Sequence, residues 1–375
     1  MAPRVLVDAT AVPADRGGVG RYVDGLVAAL HVADADVAIV CQRSDADRYG
    51  RSAPSARVIA GPAAISHRPA RLAWEQTGLP IVAQQVEAQV IHSPHYTLPL
   101  RAGRPVVVTL HDATFFTEPE MHTSVKGTFF RSATRTAVRR ASRLIVPSKA
   151  TRDELVRVVD ADPTIMDVAY HGVDTASFHP PSEDEVRRLR ARLGLSEGRF
   201  VAFLGTLEPR KNVPNLIRGW TLACADETDP PALVLAGGSG WDDAVDAAVL
   251  EVPSQLRLLR PGYLPFGDLP AFLGAAEVVA YPSHGEGFGL PVLEAMACGA
   301  AVLTTPRLSL PEVGGDAVAY TEPDAEAIGA TLRALLADAD RRRALGEAGR
   351  ARAQEFTWAL SAEAHLASYA RAASE

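Results

Sequence analysis

The stretch Glu286-Gly287-Phe288-Gly289-Leu290-Pro291-Val292-Leu293-Glu294 sets two carboxylates eight positions apart around a glycine turn that opens a helix. The pattern predicts that helix from Leu290 to about Cys298, which places the N–H groups of Phe288, Gly289 and Leu290 ahead of its first turn. Such groups lack intrahelical acceptors, and the helix dipole favours an anion in front of them. Glu294 falls about one turn inside the helix, and Glu286 lies on the loop before it. A carboxylate accepts two hydroxyls at once. One Glu can therefore hold vicinal sugar hydroxyls and the other a ribose diol, with phosphates between them, a geometry that suits a sugar nucleotide. The plainer alternative is a tight strand-to-helix connection flanked by solvated glutamates.

Working outward from this element, short β-branched runs alternate with longer helical patterns, the signal of parallel sheets covered on both faces. Strands are expected at Arg4–Asp8, Val37–Cys41, Arg57–Ala60, Ala88–His92, Val106–His111, Arg143–Pro147 and Ile165–Tyr170. A second series follows at Phe200–Gly205, Ala232–Gly237, Gln255–Arg260, Glu277–Pro282, Ala301–Thr304 and Ala317–Tyr320. The fold class is α/β, with two doubly wound, Rossmann-like domains facing a cleft. His179-Pro180-Pro181-Ser182 halts regular structure before a charged helix, Glu183–Leu193, that Gly194 stops. The expected domains are residues 1–180 and 181–356, with Thr357 capping a last helix in 357–375. Ligands of such sheets bind outside the C-terminal strand ends, so functional residues belong in the βα loops.

The bulk properties agree. A chain of 375 residues, 47% of them hydrophobic, exceeds one comfortable core and fits two domains. Cys41, Cys224 and Cys298 lie far apart without Cys-x-x-Cys spacing, so neither a disulfide framework nor a zinc site is indicated. No run of eighteen apolar residues occurs, and the first apolar run is too short for a signal-peptide core. A cytoplasmic location is expected. The formal charge of −7 is uneven: residues 1–180 hold 20 Lys+Arg against 18 Asp+Glu, and the remainder holds 18 against 27. The first half is thus the candidate for meeting an anionic surface. Arg131, Arg135, Arg139 and Arg143 recur every four residues along an expected helix, Lys126–Ala141, and its end. They read as a solvated face, or as a cationic stripe for phospholipid headgroups or a polyprenyl-phosphate acceptor at the inner face of the plasma membrane.

Four further loops carry candidate chemistry. Gly17-Gly18 after the first strand is either a flexible turn or a backbone free of Cβ that a diphosphate oxygen can approach. His111-Asp112 ends the fifth strand, where a lone histidine is commonly structural. Arg210 and Lys211 precede a helix expected after Asn212, and two cations there oppose the macrodipole unless an anion is bound. Gly262-Tyr263 follows the tenth strand, and Ser148 lies in another strand-end loop. Asp-x-Asp triplets at Asp34/Asp36, Asp45/Asp47, Asp160/Asp162 and Asp338/Asp340 fall in helix ends and surface stretches. No metal is expected, because cations and a helix terminus are available for a diphosphate.

Taken together these residues resemble the retaining family-4 glycosyltransferases of the two-Rossmann (GT-B) fold, whose signature is this Glu, seven residues, Glu element. The resemblance runs from the glycine loop to the C-terminal helix. It implies hexose transfer from a sugar nucleotide with retention, the departing phosphate oxygen taking the acceptor's proton. By the same resemblance, Glu286 holds donor-sugar hydroxyls, Glu294 the ribose, and His111, as an orienting donor, the sugar's 6-hydroxyl. Arg210 and Lys211 neutralise the diphosphate, and Phe288, Gly289 and Leu290 present amides to it. Gly17 and Gly18 lie near the donor phosphate, Arg21 and Tyr22 near the acceptor, and the Tyr263 loop holds the nucleobase. Asp112 either fixes the His111 tautomer or faces the acceptor. The last helix of the family crosses back onto the N-terminal domain. Some relatives carry an arginine directly after the strand glycine, where Thr206 stands here.

The string Gly205-Thr206-Leu207-Glu208-Pro209-Arg210-Lys211-Asn212 looks most like mannosyltransferases of cell-surface glycan synthesis. GDP-mannose is therefore the first donor, a glycan or lipid-linked hydroxyl the acceptor, and no nucleic acid is a partner. A sugar-nucleotide 2-epimerase of the same fold is the alternative. A nicotinamide-dependent oxidoreductase fits poorly, since the glycine fingerprint is incomplete and Cys41-Gln42-Arg43 stands where an acidic residue belongs.

Overall fold

The structure is a computed structural model that describes residues 2–13, 16–195 and 198–374. It divides into two compact units: Met1–Gly172 with Phe356–Glu375, and Val173–Glu355. The second unit begins ahead of the proline pair at 180–181, because the segment before it packs there: the Phe178 ring lies edge-on to Phe266 at 5.6 Å.

The first unit is a parallel sheet of β1 (Val5–Ala9), β2 (Val37–Cys41), β3 (Arg57–Ala60), β4 (Val90–Ser93), β5 (Val106–Thr109), β6 (Arg143–Val146) and β7 (Met166–Val168), in the order β3-β2-β1-β4-β5-β6-β7. Successive side chains of a strand face opposite sides. Val5, Val7 and Ala9 accordingly enter one apolar cluster with Tyr22, Leu26 and Ile39, while Leu6 enters the other with Val40, Leu79 and Ile91. The expected strands of both series form, most within one or two residues of the expected ends. β10 begins three residues later than expected and β7 is shorter, as its register reaches only Val146↔Val168.

Helix Trp358–Ser374 belongs to this unit and lies against helix Gly18–Val32 and the central strands. Glycine admits it: a Cβ on Gly172 would lie 2.1 Å from the Trp358 nitrogen. A buried chain of hydrogen bonds ties the helix to the sheet. Tyr369 Oη meets His92 Nδ1 at 2.8 Å, His92 Nε2 meets Thr109 Oγ1 at 2.9 Å, Thr109 meets Tyr22 Oη at 2.9 Å, and Tyr22 meets His365 Nε2 at 2.8 Å. The last member, His365 Nδ1, lies 2.6 Å from the Ser361 carbonyl. A carbonyl only accepts, so His365 donates from Nδ1 and, as a neutral ring, accepts at Nε2. Tyr22 must then donate to His365, Thr109 to Tyr22, His92 to Thr109, and Tyr369 to His92. One backbone carbonyl thus sets the direction of the whole chain.

The second unit is a parallel sheet of β8 (Phe200–Leu204), β9 (Ala232–Ala236), β10 (Leu258–Gly262), β11 (Val278–Tyr281), β12 (Val302–Thr304) and β13 (Ala319–Tyr320), in the order β10-β9-β8-β11-β12-β13. Strand order reverses between β8 and β11, the switch point at whose strand-end loops ligands of such sheets bind. Helix Glu183–Leu193 starts in a capping box of Ser182 and Glu185 and stops at Gly194 in the left-handed region.

Burial lowers the His365 pKa to about 4, against partial opposition from the Ser361 hydrogen bond and Asp167. An unperturbed histidine titrates near 6.5. The unfolded chain therefore binds the proton first as pH falls, and the contribution of His365 is complete above about pH 6.5 and lost as pH drops toward 4. The His365→Gln variant, which cannot charge, should be less stable than wild type in urea unfolding at pH 7.5, with the gap closing by about pH 4. A gap of constant size across that range would show that His365 is not the titrating member.

Candidate active site

The loops after β8 and β11 meet at the switch point of the second unit. The first carries Pro209–Lys211 as a single 3₁₀ turn, closed by Asn212 in the left-handed region, and helix Val213–Ala223 follows. The loops are joined through backbone: the Arg210 carbonyl accepts from His284 N at 2.9 Å, with Ser283 Oγ also 2.9 Å away, and Arg210 Nη1 donates to the Gly285 carbonyl at 2.7 Å. The junction brings charges together. Glu286 Oε1 accepts from Lys211 Nζ at 2.6 Å, Ser283 Oγ at 2.6 Å and Tyr281 Oη at 3.1 Å, while Oε2 lies 2.6 Å from Arg210 Nη1. Glu208 Oε1 takes Arg210 Nη2 at 2.6 Å and stands 3.9 Å from Lys211 Nζ. The result is a ring of alternating charge, Glu208, Arg210, Glu286, Lys211.

Its electrostatics follow from burial and proximity. Burial alone raises the Glu286 pKa, but Arg210, Lys211 and the donors from Lys211 and Ser283 outweigh it and bring the carboxyl down to about 2. Burial, then the Arg210 charge, lower the Lys211 pKa. Burial and Glu286 raise that of Tyr281, which stays a neutral donor. A cationic pair faces a carboxylate beside helix Leu290–Ala297. Gly289 opens that helix at φ 102°, where a Cβ would lie 2.9 Å from Leu310 Cδ2. Among the described residues the N–H groups of Gly289 and Leu290 make no hydrogen bond, and Pro291 has none to offer. Glu294 is buried inside the helix, and Phe288 is buried in the preceding turn.

Residues that sequence reasoning passed over hold this arrangement. Ser309 Oγ shares its one hydrogen between the Glu286 and Phe288 carbonyls, at 2.8 and 2.9 Å, and Thr305 Oγ1 donates to the Ser283 carbonyl at 2.6 Å, so the β12 loop pins the β11 loop. Tyr281, Ser283 and Glu208 complete the ring's contacts. The glycine cluster Gly237-Gly238-Ser239-Gly240, directly after β9, was the available signal for another wall: a Cβ on Gly240 would lie 1.9 Å from the Leu207 carbonyl oxygen. Tyr263 stands beside it, 64% exposed, after Gly262 at φ 73°.

The first-unit candidates separate. His111 Nε2 donates to the Pro94 carbonyl at 2.7 Å, and burial holds its pKa below the usual value. The neutral ring therefore presents Nδ1 as an acceptor, which corrects its reading as a donor. Asp112 does not fix this tautomer, since its Oδ1 accepts from Thr114 N and Oγ1 at 3.1 and 2.8 Å. Tyr22 is a fully buried member of the chain to His365 and not a surface residue beside an acceptor. Arg21 lies one turn into helix Gly18–Val32, which Gly17 caps, and a Cβ on Gly17 or Gly18 would meet nothing within 4 Å. Ser148 is the N-cap of helix Lys149–Val159, accepting from Thr151 N at 3.0 Å.

The arginine stripe is shorter than its spacing implies. Helix Ser124–Arg140 carries Arg131, Arg135 and Arg139, but Arg143 is buried on β6 and paired with Asp167 at 2.9 Å. Arg131 donates to the Phe115 carbonyl and Arg135 lies over the Phe116 ring. Several aspartates of the Asp-x-Asp triplets serve as caps, among them Asp338 for helix Ala339–Ala353. Among the described residues no group of three or more His, Cys, Asp or Glu side chains is placed to hold a metal ion, and no helix is long and apolar enough to cross a membrane.

Comparison with known proteins decides the family. The model "Glycosyltransferase Family 4" matches residues 16–177 and "Glycosyl transferases group 1" residues 185–352. The chain is 32% identical over 292 residues to O-antigen chain mannosyltransferase B of Escherichia coli, covering 77% of this chain and 74% of that one. The chain belongs to this glycosyltransferase family. It is likewise 32% identical over 381 residues to alpha-maltose-1-phosphate synthase of Mycolicibacterium smegmatis, covering 94% of this chain and 95% of that protein. The glycosyltransferase also superposes on Anabaena HepE, solved in complex with UDP-glucose, with a TM-score of 0.76 and 20% identity over 97% of this chain and 98% of that one. The fold is accordingly GT-B.

Because Ser309 is buried and its hydroxyl hydrogen is shared by two carbonyls of the turn carrying Glu286, the Ser309→Ala variant should lose about 1–3 kcal/mol of stability. It should also raise the Michaelis constant for the sugar nucleotide. Urea unfolding and initial rates check both, and a variant with wild-type values would show that the β12 loop does not hold the turn.

Proposed function

We propose that this glycosyltransferase is retaining and metal-independent, and that it moves a hexose from a sugar nucleotide to a hydroxyl of a glycan or lipid-linked acceptor in cell-surface glycan synthesis. The observation that carries the reading is the meeting of Arg210, Lys211 and Glu286 at the β8/β11 switch point, beside the unengaged amides of Gly289 and Leu290. The bond between the anomeric carbon and the β-phosphate oxygen breaks, and one to the acceptor oxygen forms on the same face. A phosphate oxygen takes the acceptor's proton. Charge grows on the leaving diphosphate, where fixed cations and amides stabilise the transition state more than the ground state. Glu286 takes sugar hydroxyls and Glu294 the ribose. The Tyr263 loop takes the base.

The name of the Escherichia coli relative supports mannose, and GDP-mannose is the donor to test first. The UDP-glucose bound by HepE makes the uridine donors the necessary comparison. Acceptor-dependent diphosphate release is expected from GDP-mannose and to persist in EDTA. Activity lost in EDTA and restored by Mg²⁺ would overturn the metal-free reading, and isomerised sugar nucleotide formed without acceptor would favour an epimerase. Lys211→Ala should lower turnover on the order of 10²–10³-fold, by analogy with deleting one preorganised charge-stabilising donor. Near-normal rates would place the diphosphate elsewhere.

A further inference from the structure

The two cations assigned to the diphosphate are already committed. Lys211 has three hydrogens to donate; two go to Tyr281 Oη at 2.5 Å and Glu286 at 2.6 Å, and Glu208 stands at 3.9 Å in the remaining sector. Arg210 meets Glu286 and Glu208 at 2.6 Å each. Two cations and two carboxylates sum to no net charge. A diphosphate gains little from a neutral cluster, since each favourable contact with a cation is offset by a nearby carboxylate of its own sign. One carboxylate has to withdraw.

The contacts identify which one. Glu286 is held by four groups, Tyr281 on β11 and Lys211, Arg210 and Ser283 on two loops. Glu208 is held by one short contact, to Arg210, and one long one, to Lys211. Its neighbour Pro209 has no N–H with which to tie the turn further, and its side chain remains 13% exposed, with a route to water. Resting on the assignment of Arg210 and Lys211 to the diphosphate, we propose that Glu208 is an internal counter-anion. It occupies the diphosphate position on these cations in the empty enzyme and swings out when the donor binds. Its return competes with the diphosphate product and assists product release. Glu208 thereby sets the affinity of the site for diphosphate, and the sugar's added contacts with Glu286 distinguish donor from spent nucleotide.

The test uses inorganic pyrophosphate, which carries neither base nor sugar, in calorimetric titration and as an inhibitor of transfer. Glu208→Gln keeps the side-chain shape and removes the competing charge, so pyrophosphate should bind roughly fivefold or more tightly, the worth of about one partly exposed ion pair. The inhibition constant should fall by the same factor. Unchanged or weaker binding in both Glu208→Gln and Glu208→Ala would overturn the proposal; general loss of structure cannot mimic a gain in affinity. A second measurement is the cycle with Arg210→Ala, which should cost more affinity in the Glu208→Gln background than in wild type, because the guanidinium is then released from the Glu208 charge. Equal costs would overturn it. If Arg210→Ala and Lys211→Ala leave pyrophosphate binding untouched, the diphosphate assignment itself is what fails. If they weaken it while Glu208→Gln tightens nothing, only the counter-anion role fails.

Discussion

The Glu286 carboxylate, held at both oxygens by cations from a different loop, is the constraint on which the second unit's site depends. A buried carboxylate with an incomplete set of partners would protonate or destabilise the fold. Here three donors reach Oε1 and a guanidinium reaches Oε2, so the group stays ionised. Those donors come from β11, from the loop that follows it, and from the loop after β8. The neighbouring strands β8 and β11 bring these donors to one point. The parallel sheet with its reversal between β8 and β11 is thus what makes the charge ring geometrically possible.

Around the ring, backbone does most of the positioning. The Ser283 and Gly285 carbonyls each accept a side-chain donor, and those of Glu286 and Phe288 share the Ser309 hydroxyl, so the turn is defined by hydrogen bonds that water would otherwise take. Glycine enters where backbone must touch backbone, as at Gly240 against Leu207, and where φ is positive, as at Gly289. The first unit solves a related problem without charge. Its buried histidines are neutral, and a single carbonyl, that of Ser361, orders the chain from Tyr369 to His365, so every hydroxyl and ring nitrogen in it has a defined role.

Much of this was legible in the sequence, for physical reasons. Strands buried on both faces read as continuous apolar runs, so Val37–Cys41 and Phe200–Leu204 announced themselves. The break at His179-Pro180-Pro181-Ser182 and the glycine at 194 bounded a helix to the residue. The paired glutamates and the Arg210-Lys211 step stood out because charge is improbable at such places without a partner. What the sequence concealed was who the partner is. The cations read as vacant for an anion, whereas the fold supplies two carboxylates, one of them Glu208, two residues before Arg210. Tyr22 looked like a site residue because it follows a glycine loop, but its place in the helix turns it into the core. Arg143 matched a four-residue period that ends with the helix at Arg140, since the chain there becomes a strand and the side chain turns inward to Asp167.

The histidine at the end of β5 shows why residue type at a strand end does not fix chemistry. His111 reads as a hydrogen-bond donor until the loop after β4 is folded beside it and the Pro94 carbonyl claims Nε2. That loop is itself set by Tyr96, which sits at φ 56°, a region an aromatic side chain rarely occupies, with its hydroxyl accepting from the Asp112 amide at 3.0 Å. The strained residue and the histidine thus fix each other: the Tyr96 contact holds the strand end that carries His111, and the carbonyl two residues before Tyr96 dictates the tautomer. A polar group on a substrate would meet an acceptor at this position because of a backbone conformation seventeen residues upstream. Such a dependence lies in the loop's geometry and has no signature in the identity of the histidine.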